Sequence, residues 1–321
     1  MPRAKLLSIV IPGRNELFMR NAVEDVLAHT GPETEVIAVC DSYWPEPTLQ
    51  DHPRLQMIHF SEAVGQRAAT NAGVSLSRAK YVAKLDAHCS VDDGFDVKMI
   101  ERMEPDVTMI PAMHKLHAFD WVCECGAREY QGTKPDVCKC GKDFTMEMVW
   151  KPREGHSPTV AWRFDSELHF QYWRKHPMKP HDGLIETMTC IGACFLMERE
   201  RFWELGGLDE GHGSWGQMGT ELAAKCWLSG GRMVTNTTTW FAHLFRSGNF
   251  SRNGQSSWPY PISQQQIDHA RQYSRDLWLN NAWPQQKYPL SWLLEKFWPV
   301  PGWTEDDLEK QKQRELTKVF V

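Results

Sequence analysis

The sequence lacks a long apolar run. No stretch of its 321 residues is apolar over the roughly 20 positions that a membrane-spanning helix needs. The apolar run near the start is broken early by Pro12 and Gly13, so no secretory signal is evident. These absences predict a cytoplasmic protein without a membrane partner.

The sequence also has no large excess of positive or of negative charge. The 36 Lys and Arg residues face 41 Asp and Glu residues, and the net charge is −5. This balance gives no global indication of a nucleic-acid partner, although it leaves room for a local basic groove. No internal repeat is evident, and the length suits one large domain or two moderate ones.

Strand and helix patterns alternate over the first 115 residues. Apolar runs predict strands at 6–12, 35–40, 54–60, 80–86 and 106–112. Helical spacing of apolar residues predicts helices at 15–31 and 65–79. This alternation indicates an α/β fold with a mostly parallel sheet, in which ligands bind beyond the carboxyl ends of the strands.

The second half is less regular. It predicts a strand and a helix within 186–210, a helix at 219–231 and a strand at 237–246. From residue 261 onward, Trp-rich helical patterns predict a helical C-terminal tail.

Asp86 and His88 stand at the end of the predicted strand 80–86. On a strand, residues two apart face the same side, so both side chains could reach one atom beyond the strand. This is half of a metal site. A lone Asp-x-His is more often a capped turn with a surface histidine, so other residues must complete the site.

Four of the nine cysteines form two Cys-x-Cys-Gly pairs within the segment WVCECGAREYQGTKPDVCKCGKDF. The pairs consist of Cys123 with Cys125 and Cys138 with Cys140. Four thiolates at this spacing suit one tetrahedral Zn²⁺ of structural type. A redox pair or free thiols are the alternatives.

The stretches SIVIPGRNE, EVIAVCDS and GQRAATNAG together resemble the nucleotide-sugar half of GT-A glycosyltransferases of the family 2 type. The resemblance implies a Rossmann-like GT-A fold, and LDAH takes the place of the family's metal motif. It also implies donor-binding residues, namely Pro12, Arg14, Glu16, Asp41, Gly65, Arg67, Asn71 and Asp86. On the residues alone, Asp41 could be a turn former, and Arg14 with Glu16 a surface ion pair.

GSWGQMGTELAAKCWLSGG followed by WFAHLFR is similar to the pattern of the polypeptide GalNAc-transferases. The resemblance implies that His243 is the third metal ligand beside Asp86 and His88. It further implies Mn²⁺ (or Mg²⁺), a UDP-sugar donor, Arg246 on the donor and Trp215 in the active site. Trp215 could instead be core packing.

The chain departs from the pattern of inverting members of this class, which carry an Asp base after the Trp-Gly motif. Met218 and Gly219 occupy the corresponding positions. Either the leaving diphosphate deprotonates the acceptor and the anomeric configuration is retained, or Glu221 or Asp209 acts as the base and it is inverted. Retention is the preferred interpretation.

The chain also resembles phage glycosyltransferases found beside TET-type dioxygenases, through stretches such as DAHC, FDSELHFQYW and YSRDLWLNN. That resemblance implies 5-hydroxymethylcytosine in phage DNA as the acceptor and the host cytoplasm as the location. The segment 245–261, rich in Arg, Asn and aromatic residues, could grip DNA and a flipped base. A cytosolic or cell-envelope glycan acceptor and an inactive sugar-nucleotide or zinc-binding module are the alternatives.

These interpretations divide the chain into four parts. We expect a nucleotide-sugar-binding half at 1–118, a zinc-ribbon-like insert at 119–145, an acceptor-binding half at 146–258 and a helical extension at 259–321. The oligomeric state stays open.

Overall fold

A computed structural model describes residues 5–245, 251–252, 255–256 and 262–316. The strands within this part are β1 (Leu7–Gly13), β2 (Thr34–Asp41), β3 (Leu55–Phe60), β4 (Tyr81–Leu85), β5 (Cys89–Val91), β6 (Val107–Cys123), β7 (Arg128–Tyr130), β8 (Phe144–Pro152), β9 (Trp162–Phe164), β10 (Phe170–Tyr172), β11 (Leu184–Glu186), β12 (Cys194–Glu198), β13 (Arg232–His243), β14 (Ser251–Arg252) and β15 (Gln255–Ser256). The helices are α1 (Met19–His29), α2 (Gln66–Leu76), α3 (Phe95–Ile100), α4 (Arg199–Glu204), α5 (Met218–Leu228), α6 (Gln264–Trp278), α7 (Leu290–Lys296) and α8 (Glu305–Glu315), with a 3₁₀ turn at Glu210–His212.

One large mixed sheet organises the chain, with strand order β11-β13-β6-β12-β4-β1-β2-β3. Strands β4, β1, β2 and β3 run parallel, while β12 is antiparallel to both β4 and β6. The predicted mostly parallel sheet flanked by helices is confirmed. The carboxyl ends of β1, β2 and β4 therefore meet at one edge of the sheet, where the predicted site residues begin.

Strands β1, β2 and β4 are buried along their whole length. Continuous burial explains why their sequences are apolar throughout rather than alternating. Helix α1 buries Met19, Ala22, Val23 and Val26, which recur at helical spacing and so form one apolar stripe against the sheet.

Strand β6 is much longer than the predicted run at 106–112. It pairs with β12 and β13 in the central sheet and then continues to Cys123, where β7 and β8 pair with its two edges. Its second half alternates buried with half-buried or exposed residues, which is why an apolar-run criterion ends the strand too early. The four-part division of the chain stays a prediction, and β6 crosses its first boundary without a break.

The predicted C-terminal helices are present as α6, α7 and α8. They pack on the sheet domain through buried aromatic residues, including Trp278 and Phe297, and Phe297 makes an edge contact with Trp227 of α5 at 5.4 Å. A capping box of Ser263 and Gln266 begins α6. In the described part of the chain, no helix has both the length and the apolarity to cross a membrane.

Candidate active site

A cavity of about 700 Å³ opens at the carboxyl ends of the parallel strands. The cavity is lined by strand ends and the loops that follow them, by the hairpin of β9 and β10, by the loop before α5 and by one face of α6. Nine of the residues expected in the site line it, namely Pro12, Arg14, Glu16, Asp41, Gly65, Asp86, His88, Trp215 and His243. The structure thus brings together residues that lie up to 231 positions apart in sequence, from Pro12 to His243 (243 − 12 = 231).

Asp86, His88 and His243 form the polar centre of this cavity. His88 Nε2 lies 3.2 Å from His243 Nε2, and His243 Nε2 lies 3.2 Å from Asp86 Oδ2. Asp86 and His88 occupy the short connection between β4 and β5, and His243 ends β13, which pairs with β5. One carboxylate oxygen and two imidazole nitrogens within 4.8 Å of one another are a donor set for a divalent metal.

The second oxygen of Asp86 is already occupied. Oδ1 accepts hydrogen bonds from the buried ammonium of Lys84 and, at 2.9 Å, from Gln66 Nε2. Burial opposes the charge of Asp86, but the Lys84 ammonium and the two histidines outweigh it and hold the pKa of Asp86 well below its usual range. Asp86 is therefore an ionised carboxylate that presents Oδ2 alone to the cavity.

Both imidazoles place Nε2 in the polar centre of the cavity. His88 Nδ1 lies 3.3 Å from Glu16 Oε2, which favours a proton on Nδ1 and leaves the Nε2 lone pair for a metal. Burial lowers the pKa of His243 to about 4, although Asp86 acts in the opposite direction. The residues present therefore fit a divalent cation of the Mn²⁺ or Mg²⁺ type.

Asp41 plays a structural part in the cavity wall. Its carboxylate accepts hydrogen bonds from Val64 N at 2.7 Å and from Gly65 N at 3.0 Å. These bonds tie the loop before α2 to the end of β2, so Asp41 shapes the cavity as well as lining it.

Known proteins resemble this chain in sequence and in fold. Residues 8–115 match the family model described as Glycosyl transferase family 2. Putative polypeptide N-acetylgalactosaminyltransferase 13 of Drosophila melanogaster is 25% identical over 300 residues, which are 85% of this chain and 48% of that protein. Polypeptide N-acetylgalactosaminyltransferase 10 of Homo sapiens is 24% identical over 257 residues, which are 74% of this chain and 38% of that protein. The chain spans about half or less of the length of these relatives.

A crystal structure of GalNAc-T7 with UDP, GalNAc and Mn²⁺ aligns with 98% of this chain and with 55% of its own, at a TM-score of 0.60 and 15% identity. The chain has the GT-A glycosyltransferase fold. Together with the matched family model and relatives, this fold supports a glycosyltransferase.

Four residues expected in the site do not line the GT-A cavity. Arg67 and Glu221 are 1% and 0% exposed and form an ion pair at 2.8 Å. Asn71 binds the backbone of Leu208 instead of a donor. Asp209 receives a hydrogen bond from the Tyr273 hydroxyl at 3.0 Å.

Glu221 is expected to act as a base, but its burial argues against that role. Its carboxylate contacts Arg67 and Lys225 and accepts a hydrogen bond from the backbone N–H of Asp209. Arg67 in turn donates to the carbonyl oxygens of Gly213 and Gly216, at 3.3 and 2.6 Å. This cluster supports the loop that carries Trp215, and its carboxylate is closed off from the cavity. Arg246 lies outside the described residues, as does most of the segment 245–261.

The backbone around Gly219 has no space for a side chain such as the Asp base of inverting members. A Cβ at this position would lie 1.8 Å from the carbonyl oxygen of Cys190, so the backbone leaves no space for a side chain. Met218 and Gly219 both line the cavity. Position 219 of this chain therefore has no room for a carboxylate side chain.

Sequence reasoning missed Lys84, Gln66 and Arg271. Lys84 is 1% exposed within a fully buried strand, and a charged residue in such a run signals a buried partner. That signal was readable in the segment YVAKLD. Gln66 and Arg271 lie on helices whose sequence patterns do not mark the face that meets the cavity.

The four clustered cysteines converge at the tip of the insert. Cys123 Sγ lies 3.4 Å from Cys140 Sγ, and Cys125 Sγ lies 3.6 Å from Cys138 Sγ. Tetrahedral Zn²⁺ with bonds of about 2.3 Å requires sulfur separations of about 3.8 Å, so the spacing fits.

The two halves of the cluster are built alike. Gly126 N donates to Cys123 O at 2.8 Å, and Gly141 N donates to Cys138 O at 2.8 Å. Both glycines have positive φ, at 90° and 84°, which other residues rarely adopt. Each Cys-x-Cys-Gly segment is therefore one tight turn that presents two sulfur atoms. The basic side chain of Arg128 is paired with Asp120 of the insert and with Glu147 of β8, so Arg128 adds little free charge to the surface of the insert.

Proposed function

We propose that the chain is a metal-dependent glycosyltransferase that moves a sugar from a UDP-sugar to a hydroxyl acceptor. The observation that carries this proposal is the convergence of Asp86 Oδ2, His88 Nε2 and His243 Nε2 at a cavity of about 700 Å³. The GalNAc-T7 structure of the same fold contains UDP and Mn²⁺, which supports UDP as the nucleoside part of the donor.

Each residue of the site has a defined task in this mechanism. Asp86, His88 and His243 would hold the divalent cation, which supplies positive charge to the diphosphate as the sugar–phosphate bond breaks. Lys84 and Gln66 fix the orientation of Asp86, and Glu16 orients His88. The loop with Pro12 and Arg14 lines the same side of the cavity and is proposed to hold the nucleoside.

Retention of configuration fits the wall of the cavity. Its three acidic side chains are Glu16, Asp41 and Asp86, and each already binds His88, backbone N–H groups or Lys84. No acidic residue of the described wall is left to act as a base. The acceptor oxygen then bonds to the anomeric carbon as the bond to the diphosphate breaks, and a diphosphate oxygen takes the acceptor proton.

The favoured acceptor remains 5-hydroxymethylcytosine in phage DNA. Trp215 and Tyr172 line the cavity and are 38% and 41% exposed, so each offers a ring face on which a flipped base could stack. The net charge of −5 predicts modest DNA affinity. A glycan acceptor from a cytosolic or cell-envelope pathway is the rival, and the alternative of an inactive binding module predicts no turnover.

One assay tests donor, acceptor and reaction together. The protein is incubated with Mn²⁺, mixed UDP-sugars and DNA that contains 5-hydroxymethylcytosine, and the nucleosides are then analysed by mass spectrometry. We expect a hexose or N-acetylhexosamine mass on that nucleoside alone, and anomeric proton couplings that match the donor. UDP release without a modified nucleoside would refute the DNA acceptor, inverted couplings would refute retention, and no reaction at all would favour the binding module.

We further propose that the four-cysteine cluster holds one structural Zn²⁺. Metal analysis of purified protein should find about one zinc per chain, because four thiolates form a closed tetrahedral site. Cys140→Ser should lower both the zinc content and the melting temperature. Cys226→Ala changes a buried thiol outside the cluster and should leave the zinc content unchanged. Full zinc content in the Cys140 variant would refute the assignment.

A further inference from the structure

One face of α6 lines the cavity. Ile267 and Arg271 line the cavity and lie four residues apart, so they share this face. Arg275, one turn further along, contacts Glu167 at 3.6 Å, and Glu167 lies in the turn between β9 and β10. Arg271 therefore lies about one helical turn, roughly 5 Å, from the residue of α6 that contacts this hairpin.

Arg271 has no counter-ion in the described structure. Across residues 5–245 and 262–316, no hydrogen bond or ion pair involves its half-buried side chain. The three carboxylates of the cavity wall are committed to other partners. The residues outside the described part include no Asp or Glu, so they supply no side-chain carboxylate either.

A half-buried guanidinium without a partner is costly, and Arg is rarely buried unless it is paired. Its planar set of donors matches the two oxygens of a carboxylate or a phosphate. The neighbouring Arg275 already has Glu167, which shows that this face of α6 is otherwise neutralised. The unpaired charge thus marks a place for an oxyanion that comes from a substrate.

The position of Arg271 assigns that oxyanion to the acceptor. Helix α6 packs against the loop with Trp215, since a Cβ on Gly216 would lie 3.2 Å from Cβ of Ala270, the residue before Arg271. Trp215 and Tyr172 line the same cavity as Arg271. The geometry points to an acceptor that carries a phosphate or carboxylate group, bound by Arg271, beside a planar ring that stacks on the exposed aromatic residues. This inference rests on the proposed function, because it names the acceptor class of the same site.

Two small probes test the inference without knowledge of the natural acceptor. Phenyl phosphate and benzoate each combine a ring with an oxyanion, and calorimetry with Mg²⁺ and UDP present measures their binding. We expect Arg271→Gln to weaken the preferred probe about tenfold or more, since an Arg–oxyanion pair is a charge-assisted bidentate contact. Arg275→Gln should change the affinity by less than about twofold, because Glu167 already occupies Arg275. The preferred probe distinguishes phosphate from carboxylate.

The outcomes separate this inference from the proposed function. Unchanged probe binding in the Arg271 variant, or no binding to the unsubstituted protein up to about 10 mM, would overturn the inference. Loss of UDP affinity in the Arg271 variant would overturn it as well, because Arg271 would then belong to the donor. Failure of the unsubstituted protein to bind UDP would instead remove the proposed function. Probe binding that depends on Arg271 would still stand in that case.

Discussion

His243→Ala lowers the Mn²⁺-dependent release of UDP from a UDP-sugar by about 100-fold or more. His243 Nε2 lies within 3.2 Å of both Asp86 Oδ2 and His88 Nε2, so its removal takes away one of the three proposed ligand atoms. The remaining carboxylate and imidazole hold a divalent cation weakly. Initial rates measured across a Mn²⁺ titration should show a weaker metal dependence together with the lower rate.

His114→Ala is the matched control for this experiment. His114 lies on β6 opposite Ala242, the residue before His243, but it does not line the cavity. Its substitution should leave both the rate and the Mn²⁺ dependence within about twofold. Full donor turnover in the His243 variant would contradict the metal assignment, as would equal losses in the two variants with intact folding.

The fold was predictable because its signals are local. The runs that form β1, β2 and β4 are mostly apolar and fully buried, and the structure places each boundary within one residue of the prediction. Asp86 and His88 were also readable, since they follow a strand directly. His243 is 155 residues beyond His88, and only the resemblance to a known motif connected the two.

The roles of charged residues were harder to predict from the sequence. Arg67 and Glu221 are 154 residues apart and meet in the core, whereas their sequence contexts suggested that each faces a substrate. A pattern identifies a residue as polar and as placed near a strand or helix end. It does not show whether the partner of that residue is a ligand or another side chain, because the partner comes from a distant element.

Glu221→Gln lowers the free energy of unfolding by about 3–5 kcal/mol, the cost of breaking a buried ion pair. The substitution leaves Arg67 and Lys225 buried, at 1% and 3% exposure, without their shared carboxylate. For a chain of this size we expect the melting temperature to fall by about 4–7 °C. Glu204→Gln provides the control, because its carboxylate is 64% exposed beside Arg201 and its loss should cost about 1 kcal/mol or less.

The same variant distinguishes a structural role from a catalytic one. If Glu221 supports the loop with Trp215, the variant at low temperature keeps most of its turnover while its melting temperature falls. A variant with an unchanged melting temperature and no turnover would instead restore Glu221 as the base. An inverted anomeric configuration in the product of the unsubstituted protein would also support Glu221 as the base.

The pH dependence gives this prediction a second measurement. Burial opposes the charge of Glu221, but Arg67 and Lys225 outweigh it and hold the pKa of Glu221 below its usual range. Its stabilising contribution is therefore complete above the unfolded pKa of about 4.3 and is lost as the pH falls below it. The gap in melting temperature between the unsubstituted protein and the Glu221 variant should be constant from neutral pH to about pH 5 and then narrow.

His212 adds a second pH dependence of the melting temperature, which is present in both the unsubstituted protein and the Glu221 variant. Burial lowers the pKa of His212 to about 4, so the folded state keeps it neutral while the unfolded chain takes up a proton below about pH 6.5. Stability from this residue is complete above pH 6.5 and declines as the pH falls toward 4. Both melting temperatures should therefore fall between pH 6.5 and about pH 5 while their difference holds. A difference that already narrows at pH 6 would assign the effect to His212 rather than to the carboxylate of Glu221.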